Sequence, residues 1–197
     1  DDIIINNNTA NNWLYSGIHS TGGSNVNVTN NQLETPYSTG DWQSKMGIQT
    51  SSNSVISGNY VYWYVSHRLG DGSWQYGIYT ENNSILTNNQ VHIISTYTGY
   101  WPHLVGIRIG AEGEMEANEI TIQNNCSHNY CTSYGIRSEG ESSLIDSNVI
   151  NVAAVANGDG ITLSPEDHFI NNIINGNHPH YTIQTSDYVI IEGNQLN

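Results

Sequence analysis

The apolar positions of this chain recur in a fixed order. Gly47-Ile48-Gln49-Thr50 is followed by Val55-Ile56-Ser57-Gly58-Asn59-Tyr60-Val61. The order returns as Gly77-Ile78 with Leu86 and Asn89, and as Gly106-Ile107 with Met115 and Asn118. It returns again as Gly160-Ile161 with Phe169 and Asn172, and as Ile183 with Ile191 and Asn194. In these five copies isoleucine and asparagine are 11 residues apart. Gly135-Ile136 with Ile145 and Asn148 has a spacing of 12, and Gly17-Ile18 with Val28 and Asn31 one of 13. Asn8, with Ile5 before it, is a truncated eighth copy. Each asparagine has an apolar residue three before it and another two after it.

Successive asparagines lie 23, 28, 30, 29, 30, 24 and 22 residues apart, a period that marks a solenoid, propeller or array. The segments inside each period are short, β-branched and alternating, so they read as strands. Three strands per period, with a polar turn after the second, predict one coil of a parallel β-helix. The expected fold is all-β: a right-handed parallel β-helix of about seven to eight coils, a single domain over 1–197. Asn8, Asn31, Asn59, Asn89, Asn118, Asn148, Asn172 and Asn194 are expected to stack as a ladder. Each amide then donates to one neighbour and accepts from the other, which satisfies a buried polar column. Extra residues in 66–75, 96–104 and 124–133 read as loops on one side of the solenoid.

Composition narrows the partners. Four Lys+Arg against 18 Asp+Glu give a net charge of −14. That balance argues against nucleic acid and anionic membrane surfaces, whose binding needs clustered cations. No apolar run is long enough for a membrane-spanning helix. There is no signal peptide and no initiating Met, so the expectation is a processed end or a piece of something longer. Cys126 and Cys131 read as a local disulfide in an oxidising compartment, with two surface thiols as the alternative. Sequons begin at Asn7, Asn27, Asn82 and Asn125, but 28 asparagines supply such matches by accident. An extracellular or cell-surface location is expected.

The Gly-Ile-x-[ST] openings and Asn-x-[VIL] turns resemble the parallel β-helix region of the NosD-like and pectate-lyase-like superfamily. The resemblance covers nearly the whole chain. It implies the fold and leaves the function open among polysaccharide lyases, glycoside hydrolases, phage tailspikes and non-catalytic surface proteins.

The columns carry the candidate chemistry. The residue after each inward isoleucine is His19, Gln49, Tyr79, Arg108, Arg137, Thr162 or Gln184. Arg108 and Arg137 fall on adjacent coils. Lyases of similar fold use such cations against a uronate, which makes the pair a weak catalytic candidate. The competing reading is that each arginine pairs with a nearby glutamate. Five residues after the isoleucine, Glu112, Glu141 and Glu166 are expected to stack. Like charges so placed repel, and carboxylate oxygens suit calcium; the competing reading is splayed, solvated carboxylates with Arg108 and Arg137 as counter-charges. No cofactor is required by the sequence, and calcium is the one it suggests. His178-x-His180 reads as a Pro-pinned turn. Trp63 falls on a core position. Trp42, Tyr62, Tyr64, Trp74, Tyr76, Tyr97, Tyr100, Trp101, Tyr130 and Tyr134 are assigned to the strand after the asparagine and its loops, as a loop core, a subunit interface or a sugar platform.

With no recognisable catalytic motif, the expected function is a non-catalytic extracellular structural protein. It stacks on copies of itself through open ends formed by Ile3, Ile4, Ile5, Ile191 and Leu196. The alternative is a carbohydrate-active β-helix domain: a lyase, a hydrolase or a glycan-binding module, with a polysaccharide as partner.

Overall fold

A computed structural model describes residues 2–13, 15–20, 22–23, 25–35, 45–65, 73–97, 103–126, 131–154, 160–176 and 183–197. Three parallel sheets run the length of the molecule, two of eight strands and one of seven. The first sheet holds the strands that precede the asparagines: Ile3–Asn6, Val26–Thr29, Val55–Ser57, Ile85–Thr87, Glu114–Glu116, Leu144–Asp146, His168–Ile170 and Ile190–Glu192. The second holds those that follow: Thr9–Asn11, Gln32–Thr35, Tyr60–Val65, Gln90–Ser95, Glu119–Asn124, Val149–Ala154, Ile173–Gly176 and Gln195–Leu196. The third holds the Gly-Ile strands: Ser16–Ser20, Lys45–Thr50, Trp74–Tyr79, His103–Gly110, Thr132–Glu139, Ile161–Leu163 and Ile183–Thr185. Every strand pairs with the strand one coil away, so the fold is the expected parallel β-solenoid.

The sharp corner between the first and second sheets has a simple cause. The residue before each ladder asparagine takes a left-handed conformation: Asn7, Asn30, Gly58, Asn88, Ala117, Ser147, Asn171 and Gly193, with φ between 53° and 66°. One such residue redirects the chain within a single step, and asparagine and glycine accept it at least cost. The ladder asparagine then turns inward. Asn31, Asn59, Asn89, Asn118, Asn148 and Asn172 are buried.

Each ladder amide is held on three sides. Asn118 Nδ2 donates to Asn148 Oδ1 at 2.9 Å, to the Leu86 carbonyl of the previous coil at 2.9 Å and to the Glu116 carbonyl at 3.1 Å. Asn118 N also donates to Asn148 Oδ1, at 3.0 Å. The amide-to-amide bond repeats from Asn8 to Asn194, always donating to the C-terminal neighbour, at 2.9–3.1 Å.

The core lies inside the three sheets. Ile48, Ile78, Ile107, Ile136 and Ile161 are fully buried, as are Val61, Val91, Ile120 and Ile150 from the second sheet. Trp63 is buried too, at the inward position shared by Ile93, Ile122 and Val152, and Trp13 packs edge-on to it at 5.0 Å. The glycine column before the isoleucines brings the third sheet close to the second. A Cβ at Gly106 would lie 2.6 Å from the Gly135 carbonyl oxygen and closer still to Ile120 Cγ2. Cys126 and Cys131 are joined as a disulfide. Ile3, Ile4, Ile5, Ile191 and Leu196 lie in the first and last described coils. Ile4 is exposed because it faces outward between the inward Ile3 and Ile5, whereas Ile191 and Leu196 are exposed at positions in register with the buried Phe169 and Ile174. Among the described residues no helix is long and apolar enough to cross a membrane.

Candidate functional site

The outer face of the third sheet gathers rings and charges. Along Trp74–Tyr79 the alternation is interrupted at Gly77, which the paired register skips, so Trp74 and Tyr76 share the outer face with Tyr79 while Ile78 turns inward. The next coils add His103 and Arg108, then Tyr134, Arg137 and Glu139. Trp74 stacks on His103 with ring centroids 4.6 Å apart and planes within 19°. It lies near-parallel to Tyr76 and Tyr134, each at 6.1 Å. The Arg137 guanidinium sits 4.3 Å over the Trp74 ring, and that of Arg108 4.0 Å over Tyr79.

Arg108 and Arg137 fall on adjacent coils in one column, as the sequence implies. Glu139 ties them together. Its Oε2 accepts from Arg108 Nε at 2.7 Å and its Oε1 faces Arg137 Nε at 2.7 Å. Arg108 Nη1 donates to the Thr80 carbonyl at 3.2 Å. His103 Nδ1 is 2.7 Å from Thr132 Oγ1, and burial, helped by nearby Arg137, holds the imidazole below its usual pKa. Rings and guanidiniums here cover one another, and one carboxylate holds both cations. An arginine so paired and stacked is fixed in place by its carboxylate and its ring. The cluster is a clasp between coils rather than an open reactive surface. Trp74, Tyr76 and Tyr134 lie on strands of this sheet, not in the strand after the asparagine and its loops, where the sequence pattern assigns them. Trp42, Tyr100, Trp101, Tyr130, His178 and His180 lie outside the described residues.

The glutamate column is corrected by one residue. The turn into the first sheet has its own left-handed residue: Asn53, Asn83, Glu112, Ser142, Glu166 and Tyr188 in successive coils. Ser142, not Glu141, stands between Glu112 and Glu166. The coil with the 12-residue spacing holds one extra residue ahead of this turn, so counting from Ile136 falls one short. Backbone bonds fix the register: Glu112 N donates to the Glu141 carbonyl and Ser142 N to the Pro165 carbonyl. Ser142 Oγ donates to Glu166 Oε2 at 2.9 Å. The three carboxylates therefore do not form one stack. Among the described residues no three His, Cys, Asp or Glu side chains are grouped so as to hold a metal ion. Ser142, Ser143, Leu144, Glu166, His168 and Tyr188 line a corner hollow of about 470 Å³.

Among the described residues one carboxylate is wholly buried. Asp167 accepts from Ser164 N at 2.7 Å and from Ser143 N at 2.9 Å, which joins two coils. Desolvation raises its pKa, opposed by those hydrogen bonds and by the Ser138 and Ser143 side chains.

The second sheet carries a feature that the sequence reading missed. Three residues after the ladder asparagine, the last coils place Asn151, Asn175 and Asn197, and the coil before them Thr121. These side chains form a second amide row on the outer face. Asn197 Nδ2 donates to Asn175 Oδ1 at 2.8 Å, Asn175 Nδ2 to Asn151 Oδ1 at 2.7 Å, and Asn151 Nδ2 to Thr121 Oγ1 at 3.3 Å. Beside the row runs a trough of about 430 Å³, lined also by Gln123, Ala153 and Gly176. Ala153, small and on the outer face, keeps the surface low beside the row. Asparagine at the same offset in three consecutive repeats was the available signal.

Neither a protein-family model nor a curated protein matches the chain.

Proposed function

We propose that this chain is a non-catalytic, extracellular β-helix module that holds an extended glycan against the outer face of its second sheet. The observation that carries the reading is the trough beside Thr121, Asn151, Asn175 and Asn197. Its volume falls in the range of ligand-binding clefts, and it combines convergent polar groups with apolar floor. A primary amide has two N–H groups and an acceptor with two lone pairs. Within the row Asn151 and Asn175 each donate one bond and accept one, which leaves each a donor and an acceptor for a hydroxylated ligand. Arg108 and Arg137 support the non-catalytic side of the reading, since both are tied to Glu139. The test is affinity electrophoresis of the whole chain through gels containing soluble polysaccharides. Retardation in at least one gel is expected; free migration in all of them overturns the proposal.

A second reading is coil-on-coil association with other copies. The same ladder bond and backbone pairing recur at every coil boundary, so a coil of another chain meets the same partners. Light scattering tests it: growth of mass with concentration supports it, and a constant monomer mass excludes it.

A further inference from the structure

Resting on that glycan reading, we infer that the ligand is an uncharged polysaccharide lying parallel to the coil axis, one sugar ring per coil, its hydroxyls answering the spare amide groups of the outer row. None of the described residues lining the trough is ionisable. The chain carries a net charge of −14, which repels an anionic polymer approaching any face. Arg108 and Arg137, the cations that would answer a uronate, sit on a different sheet and are bound to Glu139. A carboxylate in the trough would lose water and gain no counter-charge, a cost that a neutral hydroxyl avoids.

The repeat of the row sets the direction of the ligand. Neighbouring strands are about 4.8 Å apart, so the amides recur at that interval along the axis. An extended chain of pyranose rings advances by nearly one strand spacing per ring. A polymer laid across the strands instead would meet one amide and then leave the row. Each amide presents its spare N–H and spare lone pair side by side. A sugar hydroxyl both donates and accepts, so successive rings can answer that pair whichever of their edges faces the row. The small side chain of Ala153 leaves room for a ring to lie close. Ile173, partly exposed at the start of its strand, offers its aliphatic surface on the side of the row away from Ala153. No bond is made or broken in the interaction.

The experiment is calorimetric titration of the whole chain with neutral β-1,4-linked oligosaccharides of increasing length, with oligogalacturonate, and with a glucosamine oligomer. Affinity for the neutral series is expected to climb as rings are added along Thr121, Asn151, Asn175 and Asn197. It should be insensitive to salt. Asn175→Ala and Asn175→Asp should each weaken the neutral ligand about tenfold, the loss of one to two net hydrogen bonds. Their unchanged melting temperatures would show that the rod is intact. Tighter, salt-sensitive binding of the galacturonate or glucosamine oligomer overturns this inference and leaves the glycan reading standing. Neutral binding that survives both Asn175 variants overturns the placement. Binding of no oligosaccharide, with no retardation in any polysaccharide gel, removes the underlying reading itself.

Discussion

Two asparagine rows run along this molecule, and they are built from the same group to opposite ends. The inner row, Asn8 to Asn194, lies at the corner between the first and second sheets. Its amides meet backbone carbonyls as well as one another, as Asn118 does with Leu86 and Glu116. The outer row, Asn151 to Asn197, lies on the face of the second sheet and meets only side chains. The inner amides donate towards the C-terminal coil and the outer ones towards the N-terminal coil. The inner row spends its hydrogen-bonding capacity on the fold. The outer row keeps part of its capacity facing solvent. Burial, not residue type, decides whether an asparagine serves stability or recognition.

The contrast breaks most visibly at Asn118. Replacing it with Leu strands the Asn89 N and Nδ2 donors inside the rod. The expected loss is on the order of 3 kcal/mol by denaturant unfolding, since each buried unsatisfied donor costs about 1–3 kcal/mol. A loss too small to measure would mean that water or a neighbour replaces the amide. Next in size is Gly106→Ala, which pushes a methyl into the Gly135 carbonyl and Ile120. Overpacking of this kind costs about 1–3 kcal/mol and should show as a lower denaturation midpoint at unchanged slope.

Asp167 gives a pH-dependent version of the comparison, a buried polar group that carries charge. Its folded pKa is raised, so the fold favours the protonated form. Its ionisation therefore costs stability at neutral pH, and the cost fades as pH falls through the raised value towards about 3.9, the unfolded one. Serine occupies this position in the coils of Ser54, Ser84 and Ser143, so Asp167→Ser is the natural reference. Acidification from neutrality should raise the wild-type unfolding free energy relative to that variant. A difference that stays flat or falls would show the carboxylate to be as well solvated folded as unfolded. The smallest stability effect is expected at Asn175→Ala on the outer row, within about 0.5 kcal/mol, as for surface substitutions generally. That variant sharpens the contrast because its main consequence is on ligand binding.

The ladder was legible because its asparagines break an otherwise apolar pattern at a fixed offset. Ile48, Ile78, Ile107 and Ile136 were legible for the same reason, and their burial follows the expected alternation. Arg108 and Arg137 were placed correctly since both follow an inward isoleucine directly. Glu141 was misplaced because register was counted across the one coil with an inserted residue. Trp74, Tyr76 and Tyr134 were read as belonging to the preceding strand and its loop, since nothing in the sequence marks where a long connection ends and the next strand begins. The outer amide row was missed because polar residues on a strand's outer face are what alternation predicts anyway. Only the recurrence of asparagine at 151, 175 and 197 distinguished it from ordinary surface.

The shared orientation of the inner amides has a consequence for how the rod is assembled. Each amide's sense is dictated by the neighbour it donates to, so one amide reversed alone would set donor against donor on one side and acceptor against acceptor on the other. The column therefore holds a single sense along its length. A coil joining the stack inherits that sense from the coil already in place, and a strand arriving one residue out of register presents no asparagine to receive it. The ladder acts as a template that is copied turn by turn, proofreading register as the solenoid grows.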